Sequence, residues 1–499
     1  MPGPMGRGPA SERAKDFKGT IKKLVAYIAH ERIALIIAIV CAIASVVFNV
    51  LGPRILGQAT TELFQGLAAK VTGTGGIDFT KIGYILAGLL CLYVTSAAMN
   101  FVQGWIMTGL TQRVCYRMRR EIVEKIDRMP LSYFETNSVG DVMSRVTNDV
   151  DTLGQSLNQS VTQLITSVTQ IIGVAVMMVS VSVTLAGLTF LTVPVSLVLV
   201  VVVVRSSQRY FRRQQAILGR VDGIIEESFS GQNVIKVFNR EQRAVADFDV
   251  ENANLYDSGW RAQFFSGLMQ PIMNFVANLA YVAVVIVGAF LAIAGTINLG
   301  DIQAFMQYVR NFTQPITQLS QVSNMLQMLS AAAERVFEFL AEPEESADAS
   351  TPELPRCRGE VAFDHVRFGY VPNKTIIHDF SCHVEPGQTV AIVGPTGAGK
   401  TTLMKLLMRF YDVNAGSITV DGVDLRDYAR DDLRENFAMV LQDTWLFKGS
   451  IRENIRYGRA SASDDEVHAA ARAALADHFI RTLPGGYDFE LNEDASNVS

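Results

Sequence analysis

Long stretches without a charged residue are the feature that most restricts how this chain can fold. Four of them contain no Asp, Glu, Lys or Arg, at 33–53, 82–112, 152–204 and 262–300. A helix needs about 20 apolar residues to cross a hydrocarbon core roughly 30 Å thick. The stretch 152–204 is long enough for two helices with a tight return near 180–184, and 302–333 adds another with a single charge, Arg310. The sequence therefore predicts six membrane-spanning helices.

The composition of the chain changes after these stretches. Hydrophobic residues make up 49% of the sequence and charged residues 19%, which is too apolar for a typical soluble enzyme. From Gly359 onward, polar and apolar residues alternate as they do in a soluble α/β domain. We expect a disordered leader at 1–19, a transmembrane domain at 20–340, a proline-containing linker at 341–358 and a soluble domain at 359–499.

Positive charges indicate the orientation of the predicted spans. They follow the second and fourth spans, at Arg113, Arg117, Arg119, Arg120, Lys125, Arg128, Arg205, Arg209, Arg212 and Arg213. Because Lys and Arg accumulate on the cytoplasmic side of membrane proteins, we expect a multi-pass protein of the cytoplasmic membrane with both termini in the cytosol. The net charge of -5 is a sum of separated groups and does not indicate a nucleic-acid partner.

A short helix is predicted before the first span. Its apolar residues share one face and its lysines lie elsewhere: Ile21, Leu24, Val25 and Ile28 against Lys18, Lys22 and Lys23. This pattern is typical of a helix that lies in the membrane surface, in contact with lipid. A plain helical extension of the first span is the alternative.

Two segments between spans, 113–151 and 205–261, are much longer than ordinary helix connections. Val114, Met118, Ile122 and Ile126 keep a helical spacing, so we expect the spans to continue into the cytosol as rods. Ser138 and Asp141 have the spacing of a capping box, which predicts a return helix beginning at Val142. Such rods can transmit force, or they can be simple spacers.

The last predicted span carries unusual polar residues. Arg310 lies about 12 Å from the outer end of the span, which fits either a role in a transport pathway or a side chain that reaches the headgroups. Glutamines share a face at Gln303, Gln307, Gln314, Gln318 and Gln321. Amides are costly against lipid, so this face either lines a wet cavity or forms hydrogen bonds between helices.

The soluble part contains a phosphate-binding motif in a strand-then-helix setting. Short strands are predicted at 361–363 and 366–368, a hairpin turn at Asp421-Gly422, and a buried strand at 389–393. The buried strand leads into a loop that fits G-x-x-x-x-G-K-[ST]: Gly394, Pro395, Thr396, Gly397, Ala398, Gly399, Lys400 and Thr401, followed by Thr402.

This motif predicts a nucleotide site. Glycines allow backbone N–H groups to converge on phosphate oxygens, and the following helix adds its positive N-terminal end. Lys400 is expected to reach the β- and γ-phosphates of ATP, and the Thr401 hydroxyl to bind Mg²⁺. Tyr370 offers a ring that can stack on adenine, and Gln442, directly after the predicted strand 437–441, an amide that can reach Mg²⁺ or the attacking water.

With these motifs in order, nearly the whole chain resembles the ATP-binding-cassette (ABC) exporters. PLSYFETNSVGDVMSRVTND at 130–149 is similar to their first intracellular loop, and GIIEESFSGQNVIKVF at 223–238 to their second. The resemblance implies a six-span α-helical transmembrane domain of the type IV exporter kind, followed by part of an α/β P-loop nucleotide-binding domain. It makes Tyr370 the adenine-stacking tyrosine, 394–401 the Walker A loop and Gln442 the Q-loop glutamine.

The intracellular loops of that family carry coupling helices that press on the motor domains. Glu226 and Glu227 lie in the second of these loops, so we take them as coupling candidates, with Arg310 as a pathway candidate. The segment LGPRILG at 51–57 is similar to bacterial half-transporters of the multidrug and lipid type, particularly the catalytically intact member of heterodimeric pairs. A second half-transporter, the same or slightly preferably a different chain, is the partner that this implies.

The family's signature motif, Walker B with its catalytic Glu, the D-loop and the switch His would all follow Asn497-Val498-Ser499. Each ATP in the family is held between the Walker A loop of one cassette and the signature motif of the other. We therefore expect this chain to bind nucleotide weakly and not to hydrolyse it as a homodimer, and no catalytic residue is named.

The function implied by the resemblance is ATP-driven export. The spans contain no dominant charged cluster, which favours a lipid, a drug or another amphipathic small molecule as substrate. An ATP-gated channel or a regulatory subunit without pumping is the alternative of another class. An importer is a further alternative, and fusion of the membrane and motor parts in this order argues against it.

Overall fold

The computed structural model describes residues 15–345, 357–371, 374–440, 445–492 and 497–498. It divides the chain into two compact units, Met1–Glu345 and Ser346–Ser499. The first unit is entirely helical in its described residues, and the second combines small antiparallel sheets with short helices.

The first unit consists of six very long helical stretches and several short helices. The helices are α1 Phe17–Ile28, α2 Arg32–Val71, α3 Phe79–Arg128, α4 Leu131–Thr136, α5 Val139–Ser144, α6 Val150–Val181, α7 Val183–Ser230, α8 Gln232–Val237, α9 Glu241–Gly267, α10 Met269–Ile293 and α11 Leu299–Ala341. A 3₁₀ turn, Ala29–Glu31, joins α1 to α2, and a π turn, Arg145–Asp149, joins α5 to α6.

Five stretches among the described residues are long and apolar enough to cross a membrane: Phe17–Val71, Phe79–Arg128, Val139–Val181, Val183–Ser230 and Glu241–Ile293. The predicted return near 180–184 is confirmed, because α6 ends at Val181 and α7 begins at Val183 with Ser182 between them. The Ser182 hydroxyl accepts a hydrogen bond from the Leu185 N–H, which caps α7. Helix α11 has 43 residues but a more polar face, and its place as the sixth span stays a prediction.

The predicted rod at the end of the second span is confirmed. Helix α3 continues without a break to Arg128, and Val114, Met118 and Ile122 are fully buried on one side of it. They belong to a core that includes residues of α6 and α11, such as Leu153 and Val336. Burying a side chain of this size contributes about 1.5–3 kcal/mol, so packing fixes this part of the rod.

Two sequence predictions near α1 are corrected by the structure. The leader was expected to be disordered to residue 19, but α1 begins at Phe17, and the N–H groups of Lys15 and Asp16 donate to the Glu334 carboxylate at 2.8 and 2.9 Å. Leu24 and Ile28, expected to face lipid, are buried against α11. Small residues of α11, among them Ala332 and Ala333, allow this close approach.

The return helix after the first rod begins three residues earlier than predicted. Helix α5 starts at Val139, and Ser138 is its N-cap, with its hydroxyl accepting from the Asp141 N–H at 3.1 Å. Because a helix starts immediately after its N-cap, Val139 is the first helical residue and Val142 lies inside the helix instead of starting it. The Ser138 cap was predicted correctly, but the second bond of a capping box, from the Ser138 N–H to the Asp141 carboxylate, is not among the hydrogen bonds of this helix start.

An ion pair joins the start of α6 to α11. Asp149 is 3% exposed, and its carboxylate accepts two hydrogen bonds from the Arg335 guanidinium, one of them from Nε at 2.9 Å. The end of α11 is fixed in a similar way, because buried Lys125 of α3 donates to the Glu342 carbonyl and to Glu344 Oε1. Residues 341–345 of the predicted linker are therefore packed in the first unit, and 346–356 lie outside the described residues.

The second unit has a four-stranded antiparallel sheet in the order β2-β1-β3-β4 and a two-stranded sheet, β5-β6. Its elements are β1 Val361–Phe368, β2 Ile377–Val384, α12 Lys400–Leu407, β3 Ala415–Val420, β4 Val423–Asp424, α13 Arg430–Glu435, β5 Gly449–Ser450, α14 Ile451–Arg456, α15 Asp464–Ala473, α16 Asp477–Thr482 and β6 Glu490–Leu491. Short 3₁₀ turns occupy Leu425–Asp427 and Gly486–Asp488.

The hairpin predicted at Asp421-Gly422 is confirmed. Both residues have positive φ, 49° and 82°, as a two-residue turn with the right twist requires. The two strands predicted at 361–363 and 366–368 form a single strand, β1, with an irregularity at His365, whose φ is 47°. A bulge lets one strand contain the extra residue, which is why the sequence looks interrupted.

The strand predicted at 389–393 is absent, and this prediction is wrong. The segment is irregular and exposed, and Val393 is 88% exposed. Residues 437–440 of the other predicted strand are irregular as well, with Phe437 half-buried and Val440 93% exposed. A strand forms only when a neighbour completes its hydrogen bonds, and in the described residues no strand lies beside either segment.

Candidate functional site

The glycine-rich loop ends at the first turn of α12. Gly397 and Gly399 have φ values of 86° and 90°, a left-handed conformation that residues with a Cβ rarely adopt. Gly399 is the N-cap of α12 and provides no side-chain oxygen, so the first N–H groups of the helix have no capping partner from that residue. The loop therefore presents unsatisfied donors and the positive end of a helix.

Lys400 places a positive charge at this loop. Its ammonium donates to the carbonyl oxygens of Gly394 and Pro395, at 2.7 and 2.9 Å, so the side chain folds back over the loop. The next hydroxyl, that of Thr401, is exposed, whereas Thr402 is buried in the first turn. Cation, N–H groups and an accessible hydroxyl are thus within one turn, and this combination suits a polyphosphate with its metal ion.

Tyr370 lies beside the loop. Its hydroxyl is 3.2 Å from the Thr402 hydroxyl, and its ring packs edge-on against Tyr411 with 5.0 Å between centroids. The Lys405 ammonium is 5.7 Å from the centroid of the Tyr370 ring. Tyr370 is 40% exposed, so part of its ring is accessible next to the loop.

Two neighbours of Tyr370 were not identified from the sequence. Neither Tyr411 nor Lys405 belongs to a sequence motif. The only available signal is that Lys405 follows Thr401 by four residues, which places it one turn further along α12. Asn414 was also missed, although its side chain accepts from the Gly369 N–H at 2.7 Å and so fixes the backbone before Tyr370. Gln442 lies outside the described residues.

The structure places the candidates of the first unit on two different helices. Glu226 and Glu227 are exposed in the last turns of α7, close before α8. Arg310 is exposed on α11, with its guanidinium carbon 5.6 Å from the Tyr281 ring centroid, a favourable cation–π distance. It lies eleven residues after Leu299, about 17 Å at the rise of an α-helix, rather than the expected 12 Å.

The glutamine face of α11 forms hydrogen bonds between helices. Gln303 accepts from the Thr60 hydroxyl of α2, and Gln318 accepts from the Gln163 amide of α6 at 2.6 Å. For these two residues, interhelical bonding accounts for the amides. The side chain of Gln321 lies outside the described part of the structure.

A polar groove lies between α3 and α6. Two cavities of about 240 and 420 Å³ share Thr108, Asn158 and Gln159 in their lining. Other amides line it as well, including Gln112 and Gln163, and Asp151 is at one end. The groove therefore offers many neutral donors and acceptors.

Comparison with known protein families matches both units. The family model described as "ABC transporter transmembrane region" matches residues 35–316, and the one described as "ABC transporter" matches residues 377–491. The chain belongs to the ABC transporter family.

Curated bacterial relatives match this ABC transporter along nearly its whole length. It is 42% identical to the "Fatty acid ABC transporter ATP-binding/permease protein" of Mycobacterium bovis, over 98% of this chain and 83% of the relative. It is 38% identical to an uncharacterised ABC transporter ATP-binding protein of Bacillus subtilis, over 98% and 79%. It is 29% identical to the "ATP-dependent lipid A-core flippase" of Desulfotalea psychrophila, over 96% and 83%.

These matches confirm the class predicted from the motifs. The ABC transporter combines a helical membrane region with an ATP-binding domain, and it is a multi-pass protein of the bacterial inner membrane. It belongs to the class of ATP-hydrolysing translocases. Its relatives place it among the exporters of that class. ABC half-transporters of this kind generally dimerise.

Proposed function

We propose that this ABC transporter exports an amphipathic compound, a lipid or a drug, across the inner membrane at the expense of ATP. The observation that carries the proposal is the loop before α12, where left-handed Gly399 and the folded-back Lys400 form a phosphate cradle on a chain that also has membrane-spanning helices. ATP binding closes two cassettes and turns a central cavity outward, and hydrolysis resets the cavity.

At the loop, each candidate residue has a distinct role. The backbone N–H groups of Gly394 and of 396–402 surround the phosphates, and Lys400 exchanges its carbonyl partners for the β- and γ-phosphate oxygens. The Thr401 hydroxyl would hold Mg²⁺, with Gln442 as a second protein ligand. Bound Mg²⁺ supplies charge neutralisation at the phosphates. Tyr370 stacks on adenine with the exposed part of its ring.

The substrate class is inferred from the relatives and the groove. One relative is named for fatty acids and another for lipid A-core. The groove between α3 and α6 is lined mainly by neutral polar side chains, such as Asn158 and Gln159. Neutral amides suit the headgroup of an amphipathic molecule better than a highly charged solute. Arg310 is a pathway candidate because an exposed cation on α11 is costly against lipid.

The working unit is a dimer of half-transporters, with a different partner chain slightly favoured by the resemblance at 51–57. The arginines that follow the second and fourth spans lie on the C-terminal parts of α3 and α7. Because Lys and Arg accumulate on the cytoplasmic side, these ends and both termini are cytosolic. The segment around α8, with Glu226 and Glu227 before it, transmits closure of the cassettes to the spans.

Uptake into inside-out membrane vesicles that contain the chain together with its partner half-transporter tests this function. With ATP, we expect a fluorescent fatty acid or an amphipathic dye to accumulate above its equilibrium level, and with ADP to equilibrate only. Accumulation should disappear in Lys400→Ala, since its ammonium is the cation of the cradle. Equilibration that requires ATP but never exceeds the external concentration would instead support an ATP-gated channel.

A further inference from the structure

A further cavity, of about 830 Å³, lies between the start of α2 and the middle of α3. It is on the side of α3 that carries Trp105 and Gly109, whereas the polar groove is lined by Thr108 and Thr111. This cavity and the polar groove share no lining residue. The cavity is therefore separate from the proposed transport path.

One end of this cavity is apolar and faces outward from the helices. Ile33 and Ile37 of α2 and Trp105 of α3 line it, and they are 71%, 46% and 73% exposed. They lie in stretches that are long and apolar enough to cross a membrane. Large apolar side chains this exposed indicate contact with acyl chains rather than with water.

The other end of the cavity is cationic. Arg113 donates two hydrogen bonds to the Glu31 carboxylate, from Nε at 3.2 Å and from Nη2 at 3.0 Å. Arg32 is exposed and has no ion pair within the described residues. The two guanidinium groups and the one carboxylate at this end sum to a net charge of +1.

Gly109 makes room at this cationic end. A Cβ built on Gly109 would lie 3.4 Å from Arg113 Nη1, so the guanidinium lies against the bare helix backbone. Arg113 uses only two of its five N–H donors on Glu31, and the others are available beside the cavity. Trp105 is eight residues, or about 12 Å along the helix, from Arg113.

We propose that this cavity binds one membrane lipid with an anionic phosphate headgroup. The headgroup contacts Arg32 and the free N–H groups of Arg113, and an acyl chain lies along Ile33, Ile37 and Trp105. Charge complementarity selects the headgroup, since the cavity has a net positive charge at one end only. The apolar end selects a molecule that is already in the membrane. This site is independent of ATP and of the exported substrate.

Tryptophan quenching by brominated lipids tests the proposal. The chain has three tryptophans, and Trp260→Phe with Trp445→Phe leaves Trp105 as the reporter. The protein is placed in phosphatidylcholine bilayers that contain equal fractions of either brominated phosphatidylglycerol or brominated phosphatidylcholine. A cation at a membrane surface enriches an anionic lipid about fivefold. We therefore expect clearly stronger quenching by the brominated phosphatidylglycerol.

Three further variants assign the preference to this cavity. Arg32→Gln should abolish the difference between the two lipids. Gly109→Leu should reduce quenching by phosphatidylglycerol, because its side chain fills the cavity without changing a charge. Arg205→Gln, which removes an exposed arginine at the end of the fourth span, should preserve the preference.

Equal quenching by both lipids would overturn the proposal, and so would a preference that survives Arg32→Gln. Loss of the preference in Arg205→Gln would also contradict it, since the effect would then reflect general surface charge. Because the measurement uses no ATP, its failure would not affect the proposed export function.

Discussion

The amphipathic helical segment 114–122 of α3 and the apolar segment 389–393 before the loop differ in how their backbone groups are satisfied. In α3, each N–H bonds to a carbonyl one turn earlier, and Val114, Met118 and Ile122 are fully buried. The residues 389–393 are irregular and exposed, and among the described strands none lies beside them. The first was predicted from the helical spacing of its apolar residues and the second from a continuous apolar run, and only the first formed the predicted element.

The difference follows from the range of the hydrogen bonds that each element needs. A helix completes its bonds within the segment, so a suitable pattern is almost sufficient. A strand needs a partner that is distant along the chain, as Val361 of β1 has in Val384 and Val420. Apolar pattern therefore predicts helices of the first unit better than strands of the second.

Hydrogen exchange should show the largest contrast between these segments. We expect amides at 114–122 to exchange at least about 1,000-fold more slowly than those at 390–393, because buried helical amides open only in larger unfolding events. Exchange measured by mass spectrometry on the protein in detergent, without nucleotide, reports both segments in one experiment. Comparable protection would mean that 389–393 is paired as a strand.

Asp149→Ala should destabilise the first unit by about 2–3 kcal/mol. The change removes the buried carboxylate that accepts two hydrogen bonds from the partly buried Arg335 guanidinium, and removing one partner of a buried pair is costly. Denaturant titration in detergent measures the free energy of unfolding. The matched control is Asp151→Ala, two residues on, whose exposed carboxylate pairs with Arg119 and should change stability by less than about 1 kcal/mol. An equal loss of unfolding free energy in the two variants would show that burial of the Asp149–Arg335 pair contributes nothing to stability.

Asp421→Asn should weaken the second unit by about 1–2 kcal/mol at pH 7. The Asp421 carboxylate accepts from the N–H groups of Arg358, Gly359 and Glu360. Although burial raises the pKa of Asp421, these donors, with the Cys357 thiol, hold it below its ordinary value. The stabilisation is therefore complete above about pH 4 and is lost as the pH falls through the lower, folded-state pKa.

The acid dependence of this unit provides the check. Unfolding of the second unit followed from pH 7 down to about pH 2 should be less steep in Asp421→Asn than in wild type, since the variant has no carboxyl group to protonate there. Asp431→Asn, a change at an exposed carboxylate on α13, should leave the profile unaltered. An unchanged profile in Asp421→Asn would contradict the assignment.

Ser182→Ala should have the smallest effect, about 1 kcal/mol. It removes the hydroxyl that accepts from the Leu185 N–H and caps α7 at the return between two spans. Thermal unfolding in detergent should show a lower midpoint for this variant, whereas Ser182→Asp, which keeps an acceptor, should recover most of the loss. A larger loss in Ser182→Asp than in Ser182→Ala would indicate that the cap is unimportant.

Features that depend on neighbouring residues were predictable from the sequence. These include the return at Ser182, the continuation of α3, the turn at Asp421-Gly422 and the glycine-rich loop with Lys400. Each has a local cause, such as a cap, a helical period or a positive φ. The family itself followed from the order of such motifs.

Features that join distant residues were not predictable. Leu24 is buried by α11, and Arg335 pairs with Asp149 across 186 positions in sequence. At the site, Tyr411 and Asn414 position Tyr370 and its preceding glycine, although neither belongs to a motif. Their roles depend on how β1, α12 and β3 meet, which a single sequence does not show.

Equilibrium binding of Mg²⁺-ATP to the purified chain tests the central claim most directly, namely that the loop before α12 holds the nucleotide that drives transport. We expect saturable binding that is at least about tenfold weaker in Lys400→Ala, because a charge-assisted contact to phosphate is lost. Lys448→Ala, a matched change at an exposed lysine of the same unit, should bind as wild type does. Equal affinity in Lys400→Ala and wild type would contradict the account.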